Sequence, residues 1–166
     1  LYQISALAGF CKAEGTALAH VKPHGQLYNR AAKDAALAEA IAAAVHDFDP
    51  TLVLVGLAGG KLIEAGRAAN LATAQEFFAD RNYMADGTLV PRKQENAVIA
   101  DEDFAVARVV RAVQEGTIEA VDGSTIEVAA DTICIHGDNA HALEFAKKIR
   151  TALAQADVEL KPCRAQ

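Results

Sequence analysis

Apolar residues recur along the chain with two alternating periods, one typical of helices and the other typical of strands. Helical spacing covers residues 1–15, 31–48, 61–72, 101–116 and 139–157. Short apolar runs with strand character cover residues 16–21, 52–55, 73–80, 131–138 and 158–160, of which 73–80 and 158–160 are the weakest. Because strands that alternate with helices of this length are typical of a mostly parallel sheet, the pattern predicts an α/β fold with four or five strand–helix units.

One segment interrupts this alternation. Residues 117–128 contain two β-branched runs separated by Asp122 and Gly123. An Asp-Gly pair between two such runs favours a tight hairpin turn in which both turn residues have positive φ. We therefore expect one β-hairpin inserted into the α/β fold.

The start of the chain shows helical spacing of apolar residues with no capping residue before it. This predicts that the chain begins inside a helix and that an N-terminal part of a larger domain precedes it. Residues 1–166 are accordingly interpreted as a single, incomplete domain. A sheet that lacks strands exposes an edge, and such an edge favours self-association.

Composition narrows the class of protein. The chain is 52% hydrophobic and 23% charged, as soluble globular proteins are, and its net charge of −6 argues against partners such as nucleic acid or an anionic membrane surface. No apolar run approaches the roughly 18 residues of a spanning helix. Cys11, Cys134 and Cys163 are few and far apart, which indicates free thiols in a reducing compartment. We expect a cytoplasmic protein.

Three titratable side chains stand two residues apart at the end of the first predicted strand, in the sequence HVKPHGQLYN. His20, Lys22 and His24 share one side of the chain while it stays extended. Pro23 keeps Lys22 extended and cannot donate to a ladder, and Gly25 permits a turn. The strand is therefore expected to end where these polar groups face a cavity. The alternative is a surface loop with solvated histidines.

Polar residues also follow the strand in the sequence ICIHGD. A histidine next to a carboxylate at a strand end, here His136 and Asp138, can serve as a general acid–base pair. Asp138 can instead simply cap the helix that follows.

The third polar cluster lies in the sequence EFFADRNYMADGTLVPR. Glu76 and Asp80 share one side of the strand if it stays extended, and Arg81 and Arg92 are available to bind an anion. A solvated loop with salt bridges is the alternative interpretation.

Two familiar kinds of site are not supported. The sequence GLAGGK resembles a phosphate loop, but its spacing is one residue short and Leu62 follows Lys61 where a Ser or Thr is needed for magnesium. The spacing of HVKPH is metal-like, yet Lys22 between two histidines would repel a cation. An anion such as a carboxylate fits this position better, and no tightly bound metal is expected.

These three clusters closely resemble those of the LamB/YcsF family, whose members are also known as the A subunit of 5-oxoprolinase. The matching segments HVKPHGQLYN, EFFADRNYMADGTLVPR and ICIHGD occur in the family's order and spacing, and DGSTIEVAADTICIHGD matches as well. The family's N-terminal Asp-Leu-Asn, His-Ala-Gly-Asp and Gly-Ala-His-Pro motifs are absent. The resemblance implies the C-terminal two thirds of such a protein, folded as a partial (β/α) barrel of the glycoside hydrolase and deacetylase type.

The resemblance also implies an activity, the ATP-dependent opening of the lactam 5-oxo-L-proline to L-glutamate. Other 5-oxoprolinase subunits would handle ATP and its magnesium, since this chain has no phosphate loop. One alternative is a metal-dependent deacetylase or sugar hydrolase on the same barrel. Another is an inactive fragment that serves as a binding or structural module.

Roles for individual residues follow as hypotheses. Lys22 is expected to pair with a substrate carboxylate or a phosphate, and Arg81 or Arg92 to hold an anion. His24 and His136 are the candidates for proton transfer, with Asp138 orienting one of them. The candidate catalytic residues are thus His24, Glu76, Asp80, His136 and Asp138. The candidate substrate-binding residues are His20, Lys22, Asn29, Arg81 and Arg92.

Because the carboxyl ends of parallel strands meet at one edge of a sheet, the polar strand ends are expected to converge. The cavity so formed should be lined by His24, Glu76, His136 and Asp138.

Overall fold

The computed structural model describes residues 1–137 and 141–163. The helices in these ranges are α1 (Tyr2–Ala13), α2 (Gln26–Ala31), α3 (Ala35–Phe48), α4 (Lys61–Ala68), α5 (Glu102–Glu115) and α6 (Ala142–Gln155). The strands are β1 (His20–Val21), β2 (Val53–Leu57), β3 (Thr73–Phe78), β4 (Thr117–Glu119), β5 (Thr125–Glu127) and β6 (Thr132–Cys134).

The chain divides into two compact units. The first contains Leu1–Gln75 and the chain from Pro162 onward, and the second contains Glu76–Lys161. Strand β3 contributes to both units, and the parallel strands follow the order β1, β2, β3, β6. The expectation of a single domain therefore stays a prediction, as does self-association through a sheet edge.

In the first unit, β1 and β2 pair in parallel, with His20 opposite Val53 and Val21 opposite Leu54. Alternate residues of β2 point to opposite faces. Leu54 packs with α3 and α4 in a cluster that includes Ala38 and Leu62, whereas Val53 packs with Val55 and Ala74 on the other face. Strand β2 is therefore apolar throughout because both of its faces are covered.

The helix predicted over residues 31–48 begins only at Ala35, as α3, and the short α2 before it ends at Ala31. Gly25 adopts φ 62° and ψ −133° immediately before α2. Asp34 then caps α3, because its side chain accepts a hydrogen bond from the N–H of Leu37 at 3.1 Å. The cap starts a new helix and accounts for the break between α2 and α3.

In the second unit, β3 and β6 pair in parallel, with Glu76 opposite Thr132 and Phe78 opposite Cys134. Helix α5 begins where the Asp101 side chain accepts hydrogen bonds from two backbone N–H groups at 3.0 Å. It ends at Gly116, whose left-handed φ of 66° suits a helix C-terminus.

The predicted hairpin is confirmed, but its turn is of a different type. Strands β4 and β5 pair antiparallel with Ile118 opposite Ile126. Gly123 has φ 84° and donates its N–H to the carbonyl of Ala120 at 3.0 Å, whereas Asp122 is not among the residues with positive φ. The loop is thus one residue longer than a two-residue hairpin turn, and Gly123 is its last residue, in the left-handed conformation. Asp122 instead accepts hydrogen bonds from the N–H and hydroxyl of Ser124.

Two other sequence predictions need correction. The first strand is limited to His20–Val21, and residues 158–160 form no strand.

Within residues 1–137 and 141–163, no helix is long and apolar enough to cross a membrane.

Two glycines of the first unit offer a matched test of this packing. A Cβ at Gly66 would meet Thr73 Cγ2 at 2.8 Å and Leu54 Cδ2 at 3.1 Å, whereas one at Gly9 in α1 would meet nothing within 4 Å. We expect Gly66→Ala to lower the free energy of unfolding by about 1–3 kcal/mol through overpacking. Gly9→Ala should raise it by about 0.5–1 kcal/mol through helix propensity. Urea denaturation checks both, and a Gly66→Ala protein as stable as Gly9→Ala would contradict the packing.

Candidate active site

The ladder between β3 and β6 continues beyond both strands and creates the site. The N–H of Ala79 donates to the carbonyl of Cys134 at 3.0 Å. Extending the register that pairs Phe78 with Cys134 by two residues places Asp80 beside His136. Both side chains therefore emerge on the same face, just past the carboxyl ends of two neighbouring parallel strands.

Asp80 and His136 form a direct pair. The Nδ1 atom of His136 lies 2.7 Å from Oδ2 and 3.0 Å from Oδ1 of Asp80. Because an ionised carboxylate can only accept, Nδ1 carries the hydrogen and donates it. Nε2 is then the ring nitrogen that can take or deliver a proton.

The surroundings of the pair restrict its movement while leaving it accessible. The side chain of His136 is 27% exposed and that of Asp80 is 19% exposed. The imidazole lies against the ring of Phe78, with centroids 5.7 Å apart. A partly buried and oriented imidazole of this kind is suited to general acid–base chemistry.

Glu76 lies deeper on the same face of β3 and is 2% exposed. It stands four residues before Asp80, opposite Thr132 in the ladder. Of the two candidate carboxylates on this segment, Asp80 is therefore the one at the strand end beside an imidazole. A catalytic role for Glu76 stays a prediction.

The side chain of Arg81 forms hydrogen bonds to backbone carbonyls. It is 6% exposed, and its Nε and Nη2 donate to the carbonyls of Ala97 and Val90 at 3.0 and 2.5 Å. Burial first, and then the nearby charge of Arg92, lower the pKa of Arg81, while Asp80 opposes this. These contacts favour a role in holding the loop between residues 82 and 97 over the expected role in binding an anion. Arg92 is exposed, and anion binding by it stays a prediction.

In the first unit, the polar turn follows the end of the β1 ladder, as predicted. That its side chains face a cavity stays a prediction. His20, Lys22 and His24 are exposed, whereas Pro23 between them is buried. The ladder ends at Val21, and Gly25 makes the turn with its positive φ. These three side chains thus share the outer side of an extended segment. Asn29 is exposed on α2. Convergence of this turn with Asp80 and His136 stays a prediction.

Asp138 lies outside the described residues, so its expected pairing with His136 stays a prediction.

Sequence reasoning missed the link between Asp80 and His136, although each stands two residues beyond a strand. It also missed Arg108, which is 6% exposed and donates from Nη1 to the carbonyl of Arg81 at 2.9 Å. The sequence feature that could have identified Arg108 is its place among the alanine and valine residues that α5 buries.

The turn between β2 and α4 is explained by packing. A Cβ at Gly60 would meet the carbonyl oxygen of Leu57 at 3.0 Å and Cα of Ala32 at 3.3 Å. The ammonium of Lys61 binds the carboxylate of Glu64 at 2.8 and 3.0 Å. The glycine and the lysine thus have structural partners, and the sequence GLAGGK forms a strand-to-helix turn as predicted.

Among residues 1–137 and 141–163, no group of three or more His, Cys, Asp and Glu side chains is arranged to hold a metal ion.

These features define an α/β protein with a curled, parallel half-barrel sheet and an imidazole–carboxylate pair beyond its strand ends. The profile of the LamB/YcsF family matches residues 1–166, and the chain belongs to this family. The crystal structure of the lactam utilization protein from Thermus thermophilus has a TM-score of 0.86 and 47% identity, covering 99% of this chain and 64% of that one. The predicted family and fold class are therefore confirmed.

Several curated relatives carry the name of the A subunit of 5-oxoprolinase. That of Geobacillus kaustophilus (strain HTA426) is 56% identical over 164 residues, which are 99% of this chain and 64% of the relative. That of Tolumonas auensis (strain DSM 9187 / NBRC 110442 / TA 4) is 58% identical over 161 residues, 97% of this chain and 64% of the relative. That of Bacillus subtilis (strain 168) is 53% identical over 160 residues, covering 96% and 62%. The chain thus spans just under two thirds of the length of these relatives.

The orientation of His136 can be tested without any substrate. In the unchanged protein we expect the neutral ring to carry its hydrogen on Nδ1, held there by Asp80. In Asp80→Asn the amide can donate to Nδ1, which favours the hydrogen on Nε2 instead. Nitrogen-15 NMR of the imidazole, in solution alkaline enough to keep it neutral, distinguishes the two forms. Asp122→Asn, in the exposed hairpin loop, is the control and should leave the ring unchanged. The same tautomer in all three proteins would mean that Asp80 does not orient His136.

Proposed function

We propose that this chain acts within an ATP-dependent 5-oxoprolinase, in which the lactam of 5-oxo-L-proline is opened to L-glutamate and partner subunits handle ATP. The family and the names of its relatives support the assignment to this enzyme. Those names describe one subunit of several, which supports the involvement of further chains. The observation that carries the chemical part of the proposal is the Asp80–His136 pair beyond the strand ends.

The chemistry of a lactam accounts for the need for ATP. The amide bond resists hydrolysis, and ATP supplies a phosphoryl group that, on the amide oxygen, makes the ring carbon electrophilic. The residues of this chain would then manage protons and charge. Water must lose a proton as it attacks the ring carbon, and the ring nitrogen must gain one as its bond to that carbon breaks. This leaves γ-glutamyl phosphate, and attack by a second water then releases inorganic phosphate and glutamate.

His136 is suited to this proton traffic. Its Nε2 can take a proton from water and return one to the leaving nitrogen, while Asp80 holds Nδ1 and stabilises the imidazolium formed between the two steps. A histidine oriented in this way can serve both steps because one ring nitrogen is held by Asp80 while the other is left to exchange a proton. His24 in the first unit remains the second candidate for proton transfer.

Lys22 is the proposed anion contact. It stands exposed between two exposed histidines, at the point where the β1 ladder has ended. The carboxylate of 5-oxoproline needs a cationic partner, and a point charge on a flexible stem can supply it. Under this proposal His20 and Asn29 help to bind the same ligand.

The residues of the turn between β2 and α4 do not fit a triphosphate. Lys61 is paired with Glu64, and the close approach of Gly60 to Ala32 accounts for the glycine. Leu62 stands where a phosphate loop needs a hydroxyl for magnesium. No step of the proposed reaction is therefore assigned to this turn, and ATP and its magnesium are assigned to partner subunits.

Substitution of two lysines tests the proposal. The protein is prepared with the further length that its relatives have and is combined with the other 5-oxoprolinase subunits. Lys22→Met should lower turnover about ten- to a hundredfold, because a charge-assisted contact contributes roughly 1.5–3 kcal/mol. Lys61→Met should change turnover little, since it removes only an exposed ion pair with Glu64. The measurement is glutamate formed per ATP consumed.

The same assay separates the alternatives. Without the other subunits we expect no glutamate from 5-oxoproline. Turnover that depends on Lys61 and not on Lys22 would show that the anion site lies at the end of β2, and that the proposal assigns it to the wrong strand. Hydrolysis that needs a bound divalent metal and no ATP would instead favour a metal-dependent hydrolase.

A further inference from the structure

Arg108 is buried inside the second unit, although a charged guanidinium is costly to remove from water. It projects from α5, is 6% exposed, and burial lowers its pKa. An apolar side chain of similar length would fill the position without this cost. Packing alone therefore does not account for an arginine here.

The contacts of Arg108 are few and specific. The carbon at the centre of its guanidinium lies 5.1 Å from the ring centroid of Phe77 and 5.2 Å from that of Tyr83. The two rings stack at 5.6 Å with an interplanar angle of 10°. Cation–π attraction to both rings therefore fixes where the guanidinium sits.

The guanidinium of Arg108 binds one backbone carbonyl. Nη1 donates to the carbonyl of Arg81 at 2.9 Å. Within the described part of the chain, Nε and Nη2 have no hydrogen-bond partner. The hydrogen bonding of this buried cation is thus directed at the carbonyl of the residue that directly follows Asp80.

Neighbouring contacts hold the other peptide groups around Asp80. The hydroxyl oxygen of Tyr83 accepts a hydrogen bond from the N–H of Phe78 at 2.8 Å. The N–H of Ile99 donates to the carbonyl of Asp80 at 2.9 Å, and the N–H of Ala79 is held by the β6 ladder. On the far side of Asp80, Arg108 holds the carbonyl of Arg81, and the N–H of Asn82 donates to the carbonyl of Ala97 at 3.1 Å. The backbone is thereby held on both sides of this carboxylate.

We propose that Arg108 is a positioning residue that, by holding the carbonyl of Arg81 from its seat against Phe77 and Tyr83, fixes the backbone that presents Asp80 to His136. Its effect on catalysis rests on the proposed function, because it acts through the proposed proton-transfer pair. Its effect on the tautomer of His136 does not depend on any substrate. Arg108 itself contacts no reacting group.

The test replaces Arg108 by methionine, which keeps much of the side-chain length and removes the donor and the charge. In the lengthened protein with its partner subunits, we expect kcat to fall about tenfold or more while KM changes less than about twofold, as for loss of an interaction that matters in the transition state. By nitrogen-15 NMR, the fraction of His136 with its hydrogen on Nδ1 should fall. Arg111→Met is the control, because Arg111 is exposed on the same helix and pairs with Glu115.

Arg108→Lys keeps the proposal testable if the methionine variant does not fold. A lysine ammonium retains one donor for the Arg81 carbonyl, so both kcat and the Nδ1–H fraction should lie between those of the unchanged protein and the methionine variant. A folded Arg108→Met protein with unchanged kcat and unchanged tautomer would overturn the proposal. So would a folded Arg108→Met protein that is less stable but keeps the tautomer, because Arg108 would then only pack. If no protein shows turnover, the proposed function fails, and the tautomer still decides the positioning role.

Discussion

The register of the parallel ladder between β3 and β6 is the constraint on which the candidate site depends. Parallel strands that pair Phe78 with Cys134 must, two residues later, bring Asp80 beside His136 on the same face. The hydrogen bond from Ala79 to Cys134 keeps the chains together up to that point. A slip of one residue would turn either side chain to the opposite face. The backbone hydrogen bonds of the ladder thus set the position of Asp80 relative to His136.

The segment that follows β3 is held by two buried arginines that both bind backbone carbonyls. Arg81 holds the loop after Asp80, and Arg108 holds the carbonyl of Arg81 itself. Burying two guanidinium groups is costly, and that cost is met only in part by hydrogen bonds and aromatic faces. Such an arrangement is more readily understood as a means of fixing one conformation near the Asp80–His136 pair than as a source of stability.

Much of the fold could be predicted from the sequence because periodicity and capping act locally. The helical spacing over residues 101–116 was visible in the sequence, and so was the hairpin at Asp122 and Gly123. The start of the alanine-rich helix was harder to place, because Ala31 and Ala32 suit a helix as well as the alanines that follow the Asp34 cap. The strand ends identified Asp80 and His136 as candidates but not as partners. That link depends on which strands are neighbours and in which register, and Arg108 depends on a contact 27 residues away.

The central claim is that Asp80 and His136 work as one unit in proton transfer, and a double-mutant cycle tests it most directly. Asp80→Ala, His136→Ala and the double variant are compared in kcat/KM for glutamate formation, with all three shown to be folded. Residues that act as a unit are strongly non-additive. The account predicts that the double variant loses about as much as the more damaging single variant. Losses that multiply, so that the double variant falls by the product of the two single effects, would contradict it.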